Sequence, residues 1–169
     1  MHFNFRLSEL ATAAALLLTL LVGSPQLAAA ERGQTVLVVG DSLSAAFGMA
    51  QDESWVALLG ERLRAKVYGY GVVNASITGD TTTGGLKRLP RALDLHRPAV
   101  VIIELGGNDG LRGTPIEVMR SNLARMIELS KGAGARVVLA GIQIPTNYGG
   151  PYTRAFAGVY PELAKQYRI

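Results

Sequence analysis

An open α/β sandwich on a parallel sheet is the fold class this sequence predicts. Two observations carry the prediction. Short apolar runs rich in valine and isoleucine alternate along the chain with longer stretches whose apolar residues recur at helical spacing. Each short run ends in a polar or glycine-rich turn, and strands alternating with helices in this way build parallel sheets with right-handed crossovers.

The elements follow in order. Val36-Leu37-Val38-Val39 is uninterrupted apolar sequence, which suits a strand covered on both faces. Gly40 permits a tight turn. The small residues 42–46 are expected to open a helix, placing the Ser42 hydroxyl at its N-terminus, where unpaired N–H groups and the dipole favour negative charge. Residues 54–66 carry Trp55, Leu58, Leu59 and Leu63 at helical spacing, and Trp55 is read as core. Residues 67–73 form a second strand despite Gly69 and Gly71, and residues 74–80 the loop leaving it. Gly69-Tyr70-Gly71 is no dinucleotide fingerprint, since no third glycine follows at the required spacing.

Residues 81–95 are helical, with an interruption at Pro90 where the helix is expected to restart. Residues 99–105 form a third strand with one acid, Glu104, and Gly106-Gly107-Asn108-Asp109-Gly110 is the polar loop at its end. Thr114-Pro115-Ile116-Glu117 reads as a capping box, followed by an inner helix face of Ile116, Met119, Leu123, Ile127 and Ser130. Met119 and Met126 are read as gap-fillers of that face. Residues 136–144 give the fourth strand and 145–151 its exit loop. Tyr152, Phe156, Val159, Tyr160, Leu163 and Tyr167 then mark a last amphipathic helix, and Arg168-Ile169 reads as the beginning of another strand.

A chain of 169 residues accommodates one domain with a real core. Residues 1–30 have the layout of a secretory signal peptide: Arg6 near the start, an apolar run over 10–22, a breaker at Gly23-Ser24-Pro25, and Ala28-Ala29-Ala30 before the expected cleavage. The apolar run is shorter than the roughly 20 residues that span a bilayer. The domain is therefore expected at residues 31–169, exported to the periplasm or secreted, with no stable membrane span after cleavage. There is no cysteine, hence no disulfide, no lipid attachment through a thiol and no thiolate metal site. Loss of the leader removes Arg6 and Glu9 and leaves the net charge of +4 unchanged. The charges are scattered and form no block with interleaved aromatics, so solvated helix faces account for them better than a nucleic-acid site.

Ser42 has three possible roles on position alone: a helix cap, a ligand for a bound phosphate, or a nucleophile. In open α/β sheets ligands bind at the carboxyl ends of the strands. Ser42 follows the first strand, Gly79 the second, Asn108 the third and Asn147-Tyr148 the fourth, so the unusual polar residues share that edge.

Gly40-Asp41-Ser42-Leu43, the segment 74–80 with Gly79, and Gly106-Gly107-Asn108-Asp109 together resemble the blocks of the GDSL family of serine hydrolases, also called SGNH hydrolases. Within that family the chain is most similar to the exported acyl-CoA thioesterase I, lysophospholipase and arylesterase group. The resemblance spans essentially all of the chain after the leader. It implies a flavodoxin-like three-layer sandwich, with Ser42 as nucleophile and the Ser42 N–H, Gly79 N–H and Asn108 side chain as oxyanion donors. It further implies a mobile flap over 109–115 that includes Leu111, with Ile144 and Pro145 as the opposite wall of the acyl site. Asp41 is read as holding the turn. No metal or cofactor is implied. The Gly-x-Ser-x-Gly elbow of the α/β-hydrolase fold is not matched, because position 44 is serine.

A serine nucleophile needs a base, usually histidine oriented by a carboxylate. The family keeps both in an Asp-x-x-His block near the C-terminus, for which this chain has no match. His2 lies in the leader, and His96 precedes the third strand, at the amino end of the sheet away from Ser42, where it is read as a surface residue. Two expectations stand: a fragment whose last strand and helix, with acid and base, lie beyond Ile169, or an impaired, truncated relative. The expected activity is hydrolysis of small acyl esters or thioesters by a monomer. The alternatives are a flavodoxin-like anion-binding module and a carbohydrate deacetylase.

Overall fold

The computed structural model describes residues 34–169. The expected leader, with His2, lies outside them. Four strands, Gln34–Gly40 (β1), Tyr70–Asn74 (β2), Val100–Glu104 (β3) and Arg136–Leu139 (β4), form one parallel sheet in the order β2-β1-β3-β4. Val36 of β1 is in register with Val72 on one side and Val100 on the other, and Val100 with Arg136. β1 is thus bonded along both edges, and Val36 to Val39 are buried, as an unalternating apolar run requires. The chain moves from β1 outward to β2 and then back past β1 to β3. That reversal opens a crevice beside the carboxyl end of β1.

Five helices accompany the strands: Trp55–Ala65 (α1), Thr82–His96 (α2), Gly107–Leu111 (α3), Ile116–Gly132 (α4) and Gly150–Tyr167 (α5). The core joins Leu37, Val39, Val101, Ile103 and Val137 of the sheet to Leu89 and Leu93 of α2, Met119, Leu123, Met126 and Ile127 of α4, and Phe156, Val159 and Leu163 of α5. Alternation along a strand sends Val36 and Val38 to the opposite face. Side-chain burial at this level stabilises by about 1.5–3 kcal/mol per large apolar residue, which commits α2, α4 and α5 to the sheet.

The structure corrects several local expectations. Trp55 is not core: α1 approaches β2 through Val56 and Gly60, leaving Trp55 and Leu58 exposed. A Cβ at Gly60 would lie at ordinary contact distance, about 3.7 Å, from Val72, so α1 also meets β2 at a residue that hydrophobic patterning does not mark. Val67 and Tyr68 precede β2 as exposed residues, Val67 in the left-handed region at φ 56°. α2 runs unbroken through Pro90, which lies on its exposed side while Leu89 and Leu93 hold both halves to the core. The segment after β3 is a short helix, α3, instead of a loop. Thr114 forms no capping box, since Pro115 occupies the cap position of α4 without a side-chain hydrogen bond. The ladder of β4 ends at Leu139, short of Ile144. Arg168 closes α5 in the left-handed conformation and Ile169 donates its N–H to Ala164, so neither has begun a strand. Among the described residues no helix is long and apolar enough to cross a membrane.

Candidate active site

The apolar run of β1 stops at Gly40 because nothing larger fits there. A Cβ on Gly40 would lie 2.6 Å from Ser44 Oγ and 2.7 Å from Glu104 Oε2. The chain then turns: Ala45 N–H donates to Asp41 O at 2.9 Å, and Ala46 (φ 59°) and Gly48 (φ 81°) take left-handed conformations. Residues 42–48 are therefore a succession of turns, and the expected helix opening at Ser42 does not occur. Left-handed residues end the α-helical path before a second turn can form. The field of a helix N-terminus is absent from Ser42, and its placement rests on the turn alone.

Asp41, 2% exposed, organises that turn. Its Oδ1 accepts from Leu43 N–H at 3.0 Å and its Oδ2 from Asn108 Nδ2 at 3.0 Å. Burial raises its carboxyl pKa above the usual aspartate value, with Asp80 and Asp109 adding to the rise and the Leu43 and Asn108 hydrogen bonds opposing it. Beneath it, Glu104 Oε2 accepts from Ser44 Oγ at 2.7 Å and from Asp41 N–H at 3.4 Å, while Oε1 is buried without a partner. Burial likewise raises the Glu104 pKa. The Ser42 hydroxyl, half-buried, makes no hydrogen bond to another described residue.

Asn108 sits in α3, two residues past the close packing of Gly106 (φ 120°) against Tyr160 and Met119. Its Nδ2 also donates to Asp80 O at 2.9 Å, so the amide links the Asp41 turn to the segment after β2. Gly79, at φ 77°, occupies a left-handed turn that suits glycine, and its carbonyl accepts from Arg112 Nη2 at 2.9 Å. Next to Asn108, Asp109 is 1% exposed and accepts from both the hydroxyl and the N–H of Thr82, the first residue of α2. From α2, Arg88 reaches back to Asp80, Ala75 O and Gly40 O. Sequence reasoning missed Asp109, Thr82 and Arg88. The signal for Asp109 was an acid directly after Asn108, whereas Arg88 left none.

A cavity of about 260 Å³ opens at this edge, bordered by Ser42, Asn108, Leu111, Ile142, Ile144 and Pro145, and a smaller one of about 130 Å³ also borders Ser42, against Ala46, Phe47 and Met49. The early end of β4 explains three of the residues bordering the larger cavity, since residues 140–145 leave the sheet and cross the crevice. The structure thus brings Ser42, Asn108, Leu111, Ile144 and Pro145 together; Gly79 is outside the lining, joined to Asn108 through Asp80. Asn147 and Tyr148 form a separate short 3-10 turn. His96 is half-buried at the C-terminus of α2, beside the strand starts and away from Ser42, where sequence placed it. Among the described residues no cluster of histidine, aspartate and glutamate could hold a metal.

Comparison with known proteins gives a consistent result. A model of the GDSL-like Lipase/Acylhydrolase family matches residues 38–169. Esterase TesA of Pseudomonas aeruginosa is 55% identical over 133 residues, 79% of this chain and 66% of that protein. Thioesterase 1/protease 1/lysophospholipase L1 of Escherichia coli K12 is 44% identical over 140 residues, again 66% of its length, so the chain spans about two thirds of these relatives. A crystal structure of TesA superposes with a TM-score of 0.78 at 54% identity, covering 80% of this chain and 75% of the other.

Proposed function

Because the chain belongs to the GDSL-like lipase/acylhydrolase family, we propose that it hydrolyses acyl esters or thioesters through an acyl-enzyme on Ser42. The observation that carries this reading is the shared cavity, in which Ser42 and Asn108 face an apolar wall of Leu111, Ile144 and Pro145 at the carboxyl ends of the strands. Ser42 Oγ attacks the carbonyl carbon, the carbonyl oxygen gains negative charge, and the alcohol or thiol leaves. Water then hydrolyses the acyl-serine. The Ser42 and Gly79 N–H groups and Asn108 Nδ2 receive the oxyanion. One such donor is worth about 2.7–4 kcal/mol of barrier. Both Nδ2 hydrogens are engaged, with Asp41 and Asp80, so the oxyanion competes with Asp41 Oδ2 for one of them. The apolar wall takes the acyl chain.

Among the described residues the one histidine is His96, on the far edge of the sheet. The proposal therefore assigns the nucleophile and the oxyanion donors only. Without a base, acyl transfer by these groups is slower by orders of magnitude. The anion-binding alternative seats a phosphate in the turn of residues 41–44, and the succession of turns there lacks the helix N-terminus that would add to its attraction for an anion. Export to the periplasm or medium is proposed from the leader at residues 1–30, and an exported protein whose intact mass begins at Glu31 would support it. A monomer is proposed as the solution state.

The test is covalent labelling of the full chain with a fluorophosphonate, followed over hours and mapped by peptide mass spectrometry. An adduct on Ser42, absent from Ser42→Ala, is the expected result. No adduct on Ser42, or equal labelling of the variant, overturns the proposal.

A further inference from the structure

Three chain segments must meet for Ser42, Gly79 and Asn108 to act on one carbonyl group: the end of β1, the loop after β2, and α3. Hydrogen bonds join the first two only up to Ile77, with Asn74 Nδ2 donating to Ser44 O at 2.7 Å, and none of them reaches Gly79 or Asp80. Past the ladder, Ala75 N–H reaches Val38 O and Ile77 N–H reaches Gly40 O, after which the loop turns away. Arg88 supplies what is missing. Its Nε donates to Asp80 Oδ2 at 2.8 Å, its Nη1 to Ala75 O, and its Nη2 to Gly40 O at 3.3 Å. One guanidinium thus grips the last residue of β1, the first residue past β2, and the residue that follows Gly79.

The grip extends further through Asp80, whose carbonyl accepts from Asn108 and whose Oδ1 accepts from Thr81 N–H. Gly84 keeps this arrangement open, since a Cβ there would run into the Asp80 carboxyl group. The Arg88 side chain is 22% exposed and that of Asp80 11%, so the pair is shielded from solvent on most sides. A planar fork with donors in fixed directions can satisfy three acceptors at once, whereas a lysine ammonium at the end of a flexible stem cannot reproduce the set.

We propose that Arg88 is a positioning residue that holds the Gly79 loop, and through Asp80 the Asn108 amide, in register with the Ser42 turn. Its catalytic consequence rests on the acyl-transfer reading above. Arg88 touches no reacting atom in this scheme. It acts through the placement of the oxyanion donors.

The experiment uses Arg88→Gln, Arg88→Lys and Gly84→Ala in the full chain, the last displacing Asp80 while leaving the arginine in place. Nuclear magnetic resonance follows the Asn108 side-chain amide pair and the exchange of the Ile77 and Asp80 N–H groups. All three variants should move the Asn108 signals toward those of a free asparagine and speed Ile77 and Asp80 exchange about tenfold or more, with Leu123 exchange unchanged. Where wild type is labelled on Ser42, the rate at saturating fluorophosphonate should fall about 10- to 100-fold with little change in the half-saturating concentration. Unchanged Asn108, Ile77 and Asp80 signals, or loosening spread evenly through α2 and the core, overturn the positioning role. Absence of wild-type labelling would sink the acyl-transfer reading instead, and the resonance data would still decide the role of Arg88.

Discussion

Asp109 offers the sharpest test of how the site is held together. Its carboxyl group is 1% exposed and Thr82 is fully buried, and the two share hydrogen bonds of 2.8 Å from Thr82 N–H and 2.6 Å from the Thr82 hydroxyl. Asp109→Ala leaves both donors buried with no acceptor. Asn122 faces Thr82 Oγ1 with Nδ2, so as oriented it offers the hydroxyl a donor and no acceptor. Each orphaned donor costs about 1–3 kcal/mol, giving roughly 2–6 kcal/mol for the variant. Against a domain stability of about 5–15 kcal/mol this is a large loss. Asp109→Asn retains one acceptor and should cost about half as much. Urea unfolding of Asp109→Ala, Thr82→Val and the double variant measures the link directly, and a coupling of about 1 kcal/mol or more is expected. A cost below about 1 kcal/mol for Asp109→Ala, or additivity within about 0.5 kcal/mol, would refute the argument that this contact ties α3 to α2.

Three further outcomes follow from the same geometry. Burial raises the Glu104 pKa, so the folded state holds its proton at pH values where the unfolded chain has lost it; this stabilisation is complete below the ordinary glutamate value and disappears as pH rises through the folded value. Glu104→Gln removes that contribution, so the melting temperature of wild type should fall relative to that of the variant from about pH 4 to about pH 8; a difference independent of pH would exclude Glu104 as its source. Gly106→Ala places a Cβ against the Tyr160 hydroxyl at a φ of 120°, and urea unfolding should show a loss of about 2 kcal/mol or more, whereas a neutral result would mean that Tyr160 can give way. Ile144, 8% exposed on the cavity wall, should when cut to alanine weaken hydrolysis of longer acyl esters more than acetyl esters, by about 1–3 kcal/mol in relative kcat/KM; equal losses on both would separate Ile144 from the acyl chain.

What could be read in the sequence divides along a physical line. A central parallel strand has no solvated face, so Val36 to Val39 could be read without knowing their neighbours. Where β1, β2 and β3 end is also a local matter, and that alone placed Ser42, Asn108 and the segment bearing Gly79 at one edge. The face that α1 presents is different, because it meets β2 at Gly60, which has no apolar side chain to mark the contact in the sequence. The helix expected at Ser42 failed for a similar reason: small residues tolerate a helix, and only the tertiary path of the turn sends Ala46 to φ 59°.

The side chains that align the site were hidden more thoroughly. Asp109 meets Thr82 across 27 residues and Arg88 meets Gly40 across 48, and no periodicity records such a meeting. Asp41, Asn108 and Asp80 are joined by one amide, and Asp80 by one guanidinium to the end of β1. A residue motif therefore specifies which groups do the chemistry, while the distances between them depend on polar contacts that lie outside it. Loss of Arg88 should accordingly leave each motif residue in its own local conformation and still separate them. That separation distinguishes a frame of positioned segments from a set of independently folded turns.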